Sequence, residues 1–238
     1  MDKLEVGAGK LGISLNHEQI AQFHIYYREL LAWNQRINLT GITSFEEVQV
    51  KHFLDSLTVI QALGQKEIGD ELTIIDVGTG AGLPGIPIKI AFSEVKLVLL
   101  EATGKKVDFL NHLIGQLKLT GVKAIKGRAE EVAHDVQYRE KFALVLARAV
   151  AGLPALAELA LPFAAAGGIF VAQKKGEINA EVGQAASAIA LMGGKLREVK
   201  EIQMTEFAEK RYLVVIDKIS ASPAKYPRRS GMPEKRPL

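Results

Sequence analysis

The sequence predicts an α/β fold: a mostly parallel sheet with helices on both faces, preceded by a helical extension. Three observations carry this. Apolar runs at 72–77, 97–100, 122–126, 142–147, 169–172 and 212–216 read as strands. Helical periodicity at 105–117, 153–165 and 178–192 lies between several of them. Most of the runs are apolar rather than alternating, as expected for strands buried on both faces.

Before this region the pattern is helical. Asn16 is placed to cap a helix, with Gln19 three residues on, and Ile20, Phe23, Tyr27, Leu30 and Leu31 follow at helical spacing. A second helix starts at Ser44, where Glu47 would complete a capping box and Val50, Phe53, Leu54 and Leu57 form the apolar face. The polar stretch 64–71 reads as a linker. A seventh strand within 195–203, pairing with 212–216, completes the sheet. The proline- and cation-rich end, with Lys225, Arg228, Arg229, Lys235 and Arg236 against Glu234, reads as an irregular basic arm. The expected division is therefore a helical extension at 1–70, a sheet domain at 71–220 and an arm at 221–238.

Composition excludes several chemistries. The 238 residues include no cysteine, so disulfides, cysteine-ligated metals and cysteine nucleophiles are absent. No metal site is expected. No signal core follows Asp2, Lys3 and Glu5, and the apolar run 159–172 is broken by Pro162 and Gly167-Gly168. A cytoplasmic protein without a membrane span is expected. The net charge of +3 permits a polyanionic partner without demanding one.

The most informative segment follows the first strand: Asp76-Val77-Gly78-Thr79-Gly80-Ala81-Gly82-Leu83-Pro84-Gly85. Such a loop lets backbone N–H groups and a helix start approach a ligand. A phosphate-binding P-loop would end Gly-Lys-Ser/Thr, and this one does not. Gly80, Gly82 and Gly85 fit a dinucleotide loop, but Asp76 would then face a pyrophosphate of like charge. With Asp76 ending the strand and Gly78 opening the turn, the pattern D-x-G-x-G-x-G is that of an S-adenosylmethionine (SAM) loop. Asp76 would help hold the cationic end of SAM. Glu101 ends the second strand, where a carboxylate can accept from both ribose hydroxyls of an adenosine.

Two further positions keep two readings each. After the third strand, Ala129 and Glu130 meet an adenine edge, or Glu130 caps the next helix. After the fourth, Arg148 faces SAM or its methyl acceptor as a positioning group, or forms an ion pair at the sheet edge with Glu130. The fourth strand ends without the Asn/Asp-Pro-Pro-aromatic tetrad of exocyclic-amine methylases, and pyrimidine carbon-5 chemistry lacks its cysteine. An acceptor atom that is already nucleophilic remains, such as a purine ring nitrogen. Lys174 and Lys175 after the fifth strand, and Arg228 and Arg229 beside Tyr226, are candidate RNA contacts. By composition the last pair also reads as a solvated tail. A dehydrogenase and an RNA-binding protein with a vestigial SAM site are the rival classes. No tyrosine has a lysine four residues later, which weakens the dehydrogenase.

Together the segments Asn34–Thr40, 51–57 (Lys-His-Phe-Leu-Asp-Ser-Leu), 76–88, Leu100-Glu101 with Lys105-Lys106, Arg128-Ala129-Glu130 and Arg148-Ala149-Val150-Ala151 resemble one family. Leu161-Pro162, Gly167-Gly168, Lys175-Gly176 and 226–233 (Tyr-Pro-Arg-Arg-Ser-Gly-Met-Pro) complete the set. It is the bacterial 16S rRNA guanine-N7 methyltransferase family, also called glucose-inhibited division protein B. The resemblance runs from about residue 15 onward. It implies a class I SAM-dependent, Rossmann-like fold with an N-terminal helical extension; a monomer is expected. It also implies methylation of a guanosine in the 530 loop of 16S rRNA, with that RNA or the small ribosomal subunit as partner. By position, Gly78, Leu83, Glu101, Ala102, Thr103, Ala129, Glu130 and Arg148 would contact SAM. Ala102 departs from the serine common there, which leaves only a backbone contact available.

Overall fold

The computed structural model describes residues 1–63 and 72–238, so the expected linker at 64–71 lies outside the described residues. The chain opens with α1 (Asp2–Lys10) and α2 (His17–Asn34). Asn16 caps α2 as expected: its Oδ1 accepts from Gln19 N at 2.9 Å, and Gln19 Oε1 accepts from Asn16 N at 2.8 Å. Phe23, Tyr26 and Leu30 are the buried stripe. Tyr26 therefore takes the place expected of Tyr27, whose hydroxyl instead donates to the Thr43 carbonyl at 3.2 Å.

The expected helix from Ser44 forms as a chain of short pieces: α3 (Phe45–Val48), a π-helical turn (Gln49–Leu54), α4 (Asp55–Leu57) and a 3₁₀ turn (Thr58–Ala62). Ser44 Oγ accepts from Glu47 N at 3.2 Å. The Glu47 carboxylate turns to Lys51 Nζ at 2.6 Å and to the Ser44 hydroxyl, so only half of the capping box forms. The first helix, not foreseen, packs Leu4 and Ala8 into the same core as Leu54.

Seven strands then build one sheet: β1 (Thr73–Val77), β2 (Lys96–Glu101), β3 (Val122–Lys126), β4 (Phe142–Arg148), β5 (Ala164–Lys175), β6 (Gly194–Ile202) and β7 (Arg211–Lys218). Their order is β3-β2-β1-β4-β5-β7-β6. The first five are parallel, and β7 runs antiparallel to both β5 and β6. Helices α5 (Gly85–Ala91), α6 (Gly104–Gln116), α7 (Ala129–Val132), α8 (Leu153–Ala160), α9 (Asn179–Gln184) and α10 (Ala186–Leu191) connect them. The chain moves outward from β1 to β3 and then returns to β4. That reversal opens a crevice at the carboxyl ends of β1 and β4. One core lies between the sheet and α2, α5 and α6, and a second lies under α8 and α10.

Three expectations are corrected. The helix expected over 153–165 ends at Ala160, with a 3₁₀ turn (Leu161–Phe163) before β5. Pro162 lacks the N–H that a continuing helix needs, and Ala164 pairs with Phe142 instead. The helix expected over 178–192 is two helices. The arm is no irregular tail but a strap docked on the body, ending in α11 (Met232–Lys235). Arg139 gathers three carbonyls along its path, Tyr226 at 2.9 Å from Nη1 and Ser222 at 2.9 Å and Pro223 at 3.2 Å from Nη2, and ties them to Ala133 O at 2.9 Å from Nη1. Tyr226 is buried. Arg228 donates from three groups, its backbone N at 2.7 Å, Nε at 3.0 Å and Nη2 at 2.7 Å, to the fully buried Glu158 of α8. A carboxylate on a helix otherwise packed in apolar surroundings requires such a partner.

Arg228→Ala is expected to leave Glu158 buried without its cation and to lower stability by about 2–4 kcal/mol. Urea unfolding of variant and parent at pH 7 measures this. A loss below about 0.5 kcal/mol would return the strap to a solvated arm.

Candidate active site

Asp76, at the end of β1, is fully buried. Its Oδ2 accepts from Thr79 Oγ1 at 2.6 Å and Gly85 N at 2.9 Å, while Oδ1 is buried without a partner. Burial pushes its pKa up to about 6. The two hydrogen bonds and the Arg148 charge oppose the rise, and Glu101 adds to it. Asp76 thus first shapes the glycine loop from beneath, and one oxygen is left to meet a cation.

The loop is pinned on two more sides. Gly78 N and Thr79 N donate to Leu100 O of β2 at 2.9 and 3.1 Å. The Tyr26 hydroxyl of α2 donates to Ala81 O at 2.6 Å from a buried position that raises its pKa well above the usual value. Gly78 is required here: its φ is +70°, and a Cβ would stand 2.7 Å from Val150.

Glu101 is 7% exposed. Its Oε2 accepts from Gly80 N at 3.1 Å and its Oε1 from Thr103 N at 2.8 Å. Ala102 and Thr103 are exposed beside it, and Leu83 is buried under the loop. Glu130 accepts from Gly231 N at 2.7 Å. It neither stands free nor pairs with Arg148, because the strap reaches it.

Arg148 does form an ion pair, but its partner is Asp55, at 2.9 Å from Nη1, and not Glu130. It also donates to Lys51 O at 3.3 Å. The other oxygen of Asp55 accepts from Arg211 Nε at 3.1 Å. Gln173 Nε2 of β5 donates to the Asp55 carbonyl at 2.6 Å. Nearby, His52 Nε2 meets Thr40 Oγ1 at 2.7 Å, and burial with the Arg148 charge lowers the His52 pKa to about 4, which keeps the ring neutral.

The structure therefore brings Asp76, the glycine loop, Glu101 and Arg148 to one end of the sheet. It separates the candidate RNA contacts. Lys174 is held by Ala151 O at 2.9 Å and Glu181 at 2.8 Å. Arg228 is committed to Glu158. Lys175 is 70% exposed, with a loose 3.5 Å contact to Glu209, and Arg229 is exposed. Sequence reading missed Tyr26, Thr79, Asp55, Gln173 and Arg211. Asp55 and Thr79 both stood within quoted motifs, which were the signals on hand. Among the described residues no cluster of three His, Asp or Glu side chains is placed to hold a metal ion.

The donor and acceptor set suits an adenosyl sulfonium. Acceptor-only carboxylates end β1 and β2; Glu101 suits the ribose of any adenosine, while Asp76, with its buried unpartnered oxygen, would meet a dinucleotide pyrophosphate as a like charge. Fold and crevice are those of the SAM-dependent methyltransferases. The geranyl diphosphate C-methyltransferase of Streptomyces coelicolor A3(2) superposes with a TM-score of 0.51 at 14% identity, over 82% of this chain and 98% of that one. The antibiotic-resistance methyltransferase Kmr gives 0.52 at 13% identity, over 66% and 92%. The family is narrower still. The family model of rRNA small subunit methyltransferase G matches residues 19–212. Relatives named Ribosomal RNA small subunit methyltransferase G are 50% identical over 238 residues in Dehalococcoides mccartyi (strain CBDB1), covering all of both chains, and 45% over 237 residues in Pelotomaculum thermopropionicum, covering 100% and 98%. This chain belongs to the rRNA small subunit methyltransferase G family.

Asp76 has its folded pKa raised from 3.8 to about 6, so its contribution to stability is present at low pH and is lost as pH rises through about 6. Two pH units at about 1.4 kcal/mol each give about 3 kcal/mol. Asp76→Asn is therefore expected to gain stability over the parent between pH 4.5 and 7. Paired urea titrations at the two pH values check this, and a difference that stays flat with pH would refute the burial of a charged Asp76.

Proposed function

We propose that this protein transfers a methyl group from SAM to N7 of a guanosine in the 530 loop of 16S rRNA. The observation that carries the reading is the convergence of Asp76, the glycine loop and Glu101 at the β1–β4 crevice, with a clamped Arg148 beside them. Membership of the family supports the RNA as acceptor.

In this reading Glu101 exchanges its bonds to Gly80 N and Thr103 N for the ribose hydroxyls. Gly78, Gly80, Gly82 and Leu83 pass close beneath the donor, and Ala102, Thr103, Ala129 and Glu130 border its adenine. The unpartnered Oδ1 of Asp76 faces the cationic end. Bound SAM supplies a methyl group on sulfonium, which a purine nitrogen with a free lone pair accepts without losing a proton. The protein's task is then alignment rather than proton transfer. Arg148, fixed by Asp55, is the positioning group. The neutral His52 offers a hydrogen bond without a competing charge.

Lys175 and Arg229 are the exposed cations left to meet RNA phosphates, while Lys174 and Arg228 serve the protein itself. The partner is 16S rRNA or the small subunit, met in the cytoplasm by a monomer. No helix among the described residues is long and apolar enough to cross a membrane. The extension 1–70 and the sheet domain 71–220 act as one unit at the site, since Tyr26 and Asp55 both reach it.

Three measurements test this. Mapping labelled methyl groups on small-subunit rRNA should find N7-methylguanosine in the 530 loop, and label confined to another position would overturn the assignment. Glu101→Ala should weaken SAM binding by about 2–3 kcal/mol in calorimetry, as for hydrogen bonds to a charged group. Unchanged affinity, or tight NAD binding by the parent, would remove the SAM site. Lys175→Ala with Arg229→Ala should flatten the salt dependence of RNA affinity by about two phosphate contacts, and an identical slope would place the RNA elsewhere.

A further inference from the structure

Carboxylates stand at the ends of β1 and β2 and just after β3, and a glycine N–H holds each one. Gly85 holds Asp76 at 2.9 Å, Gly80 holds Glu101 at 3.1 Å, and Gly231 holds Glu130 at 2.7 Å. The first two glycines lie in the loop itself. The third comes from the strap, 101 residues further along the chain.

That third bond is not a stray contact. Glu130 is 8% exposed, so its carboxylate has little freedom to be solvated instead. The strap is fastened beside it at three more points. Ser230 Oγ donates to Glu131 at 3.0 Å, His134 Nε2 meets Pro227 O at 2.8 Å, and Arg228 grips Glu158. Between α7 and the strap runs an open cleft of about 700 Å³, bordered by Glu130, Glu131, His134, Pro227, Arg229 and Ser230. Glu130 thus lines both the cleft and the side of the crevice assigned above to adenine.

A terminal carboxylate torsion is soft and has no sharp wells of its own. One oxygen pinned by a short N–H bond fixes the plane, and hence the direction in which the second oxygen accepts. An ionised carboxylate only accepts. On an adenine edge it can take the exocyclic amine, whereas a base carrying a carbonyl there would set oxygen against oxygen. We propose that the C-terminal strap positions Glu130 for nucleobase selection, so that the N–H of Gly231 makes the donor site selective for an adenine amine. The inference rests on the reading of Glu130 as an adenine contact.

Calorimetry with S-adenosylhomocysteine and its deaminated analogue S-inosylhomocysteine tests it. The full chain is expected to favour the adenosyl ligand by about ten- to a hundredfold. A chain ending at Arg229 keeps the Arg228–Glu158 pair and loses Gly231. Its preference should shrink to within about threefold, as should that of Glu130→Ala. Loss of preference in Glu130→Ala with full preference in the shortened chain overturns the strap's role and leaves Glu130 in the site. Full preference in Glu130→Ala removes Glu130 itself. A merely structural strap would weaken both ligands equally. Melting curves accompany each variant. Should the shortened chain not fold, Gly231→Ala carries the test. Its φ of +79° disfavours a side chain although a Cβ there would touch nothing within 4 Å, so the N–H shifts without a clash. It should erode the preference in the same sense, and an unaltered preference refutes the proposal.

Discussion

A carboxylate with no exposure to water sits under the turn that follows the central strand, and the turn is built around it. Asp76 offers one oxygen to both the Thr79 hydroxyl and the Gly85 N–H. This draws the two ends of the loop together and sets where α5 begins. Gly85 can carry no side chain, because a Cβ would stand 2.8 Å from Leu99 and 3.0 Å from Asp76 Oδ2. The arrangement leaves the second oxygen unpartnered in a buried place, which is costly in the free protein. A buried oxygen left this way calls for an ordered water, a strain role or a ligand, and an ionised carboxylate is met best by a cation. The loop's shape and its appetite for a cation therefore have one origin.

The sheet was legible because its inner strands are apolar on both faces, a pattern few other structures require. β3 matches its expected span, and β1, β2 and β4 differ from theirs by a residue at one or both ends. The pairing of β6 with β7 follows the expected hairpin. Asp76 and Glu101 were legible because the loop and the strand ends are local features. What escaped was long-range. Asp55 meets Arg148 at a separation of 93 residues and Arg211 at 156, and nothing in the spacing of a single sequence joins them. The strap escaped for a related reason. Its cations and prolines read as a solvated arm, and only the buried Glu158, 70 residues earlier, reveals why Arg228 must fold back. The first helix was missed because Gly7 and Gly9 suppress its intrinsic propensity, while Leu4 and Ala8 are recruited by tertiary packing.

The helical extension is drawn into the site by a single turn. β4, β5 and β7 are neighbours in the sheet. Each sends a polar side chain from its end toward Asp55: Arg148 to one carboxylate oxygen, Arg211 to the other, and Gln173 to the backbone carbonyl. Two guanidiniums sharing one carboxylate leave an excess of positive charge. Glu209 offsets it weakly, because that side chain is 60% exposed and screened by solvent. Held this way, the arginines keep few alternative rotamers, and little of their order remains to be imposed when an anionic partner arrives. Tyr26 makes the matching tie on the other side of the crevice, from α2 to the glycine loop. An extension fastened to both walls of a crevice cannot shift without moving them. The residues that read, in sequence, as a preface to the fold are therefore part of the crevice itself.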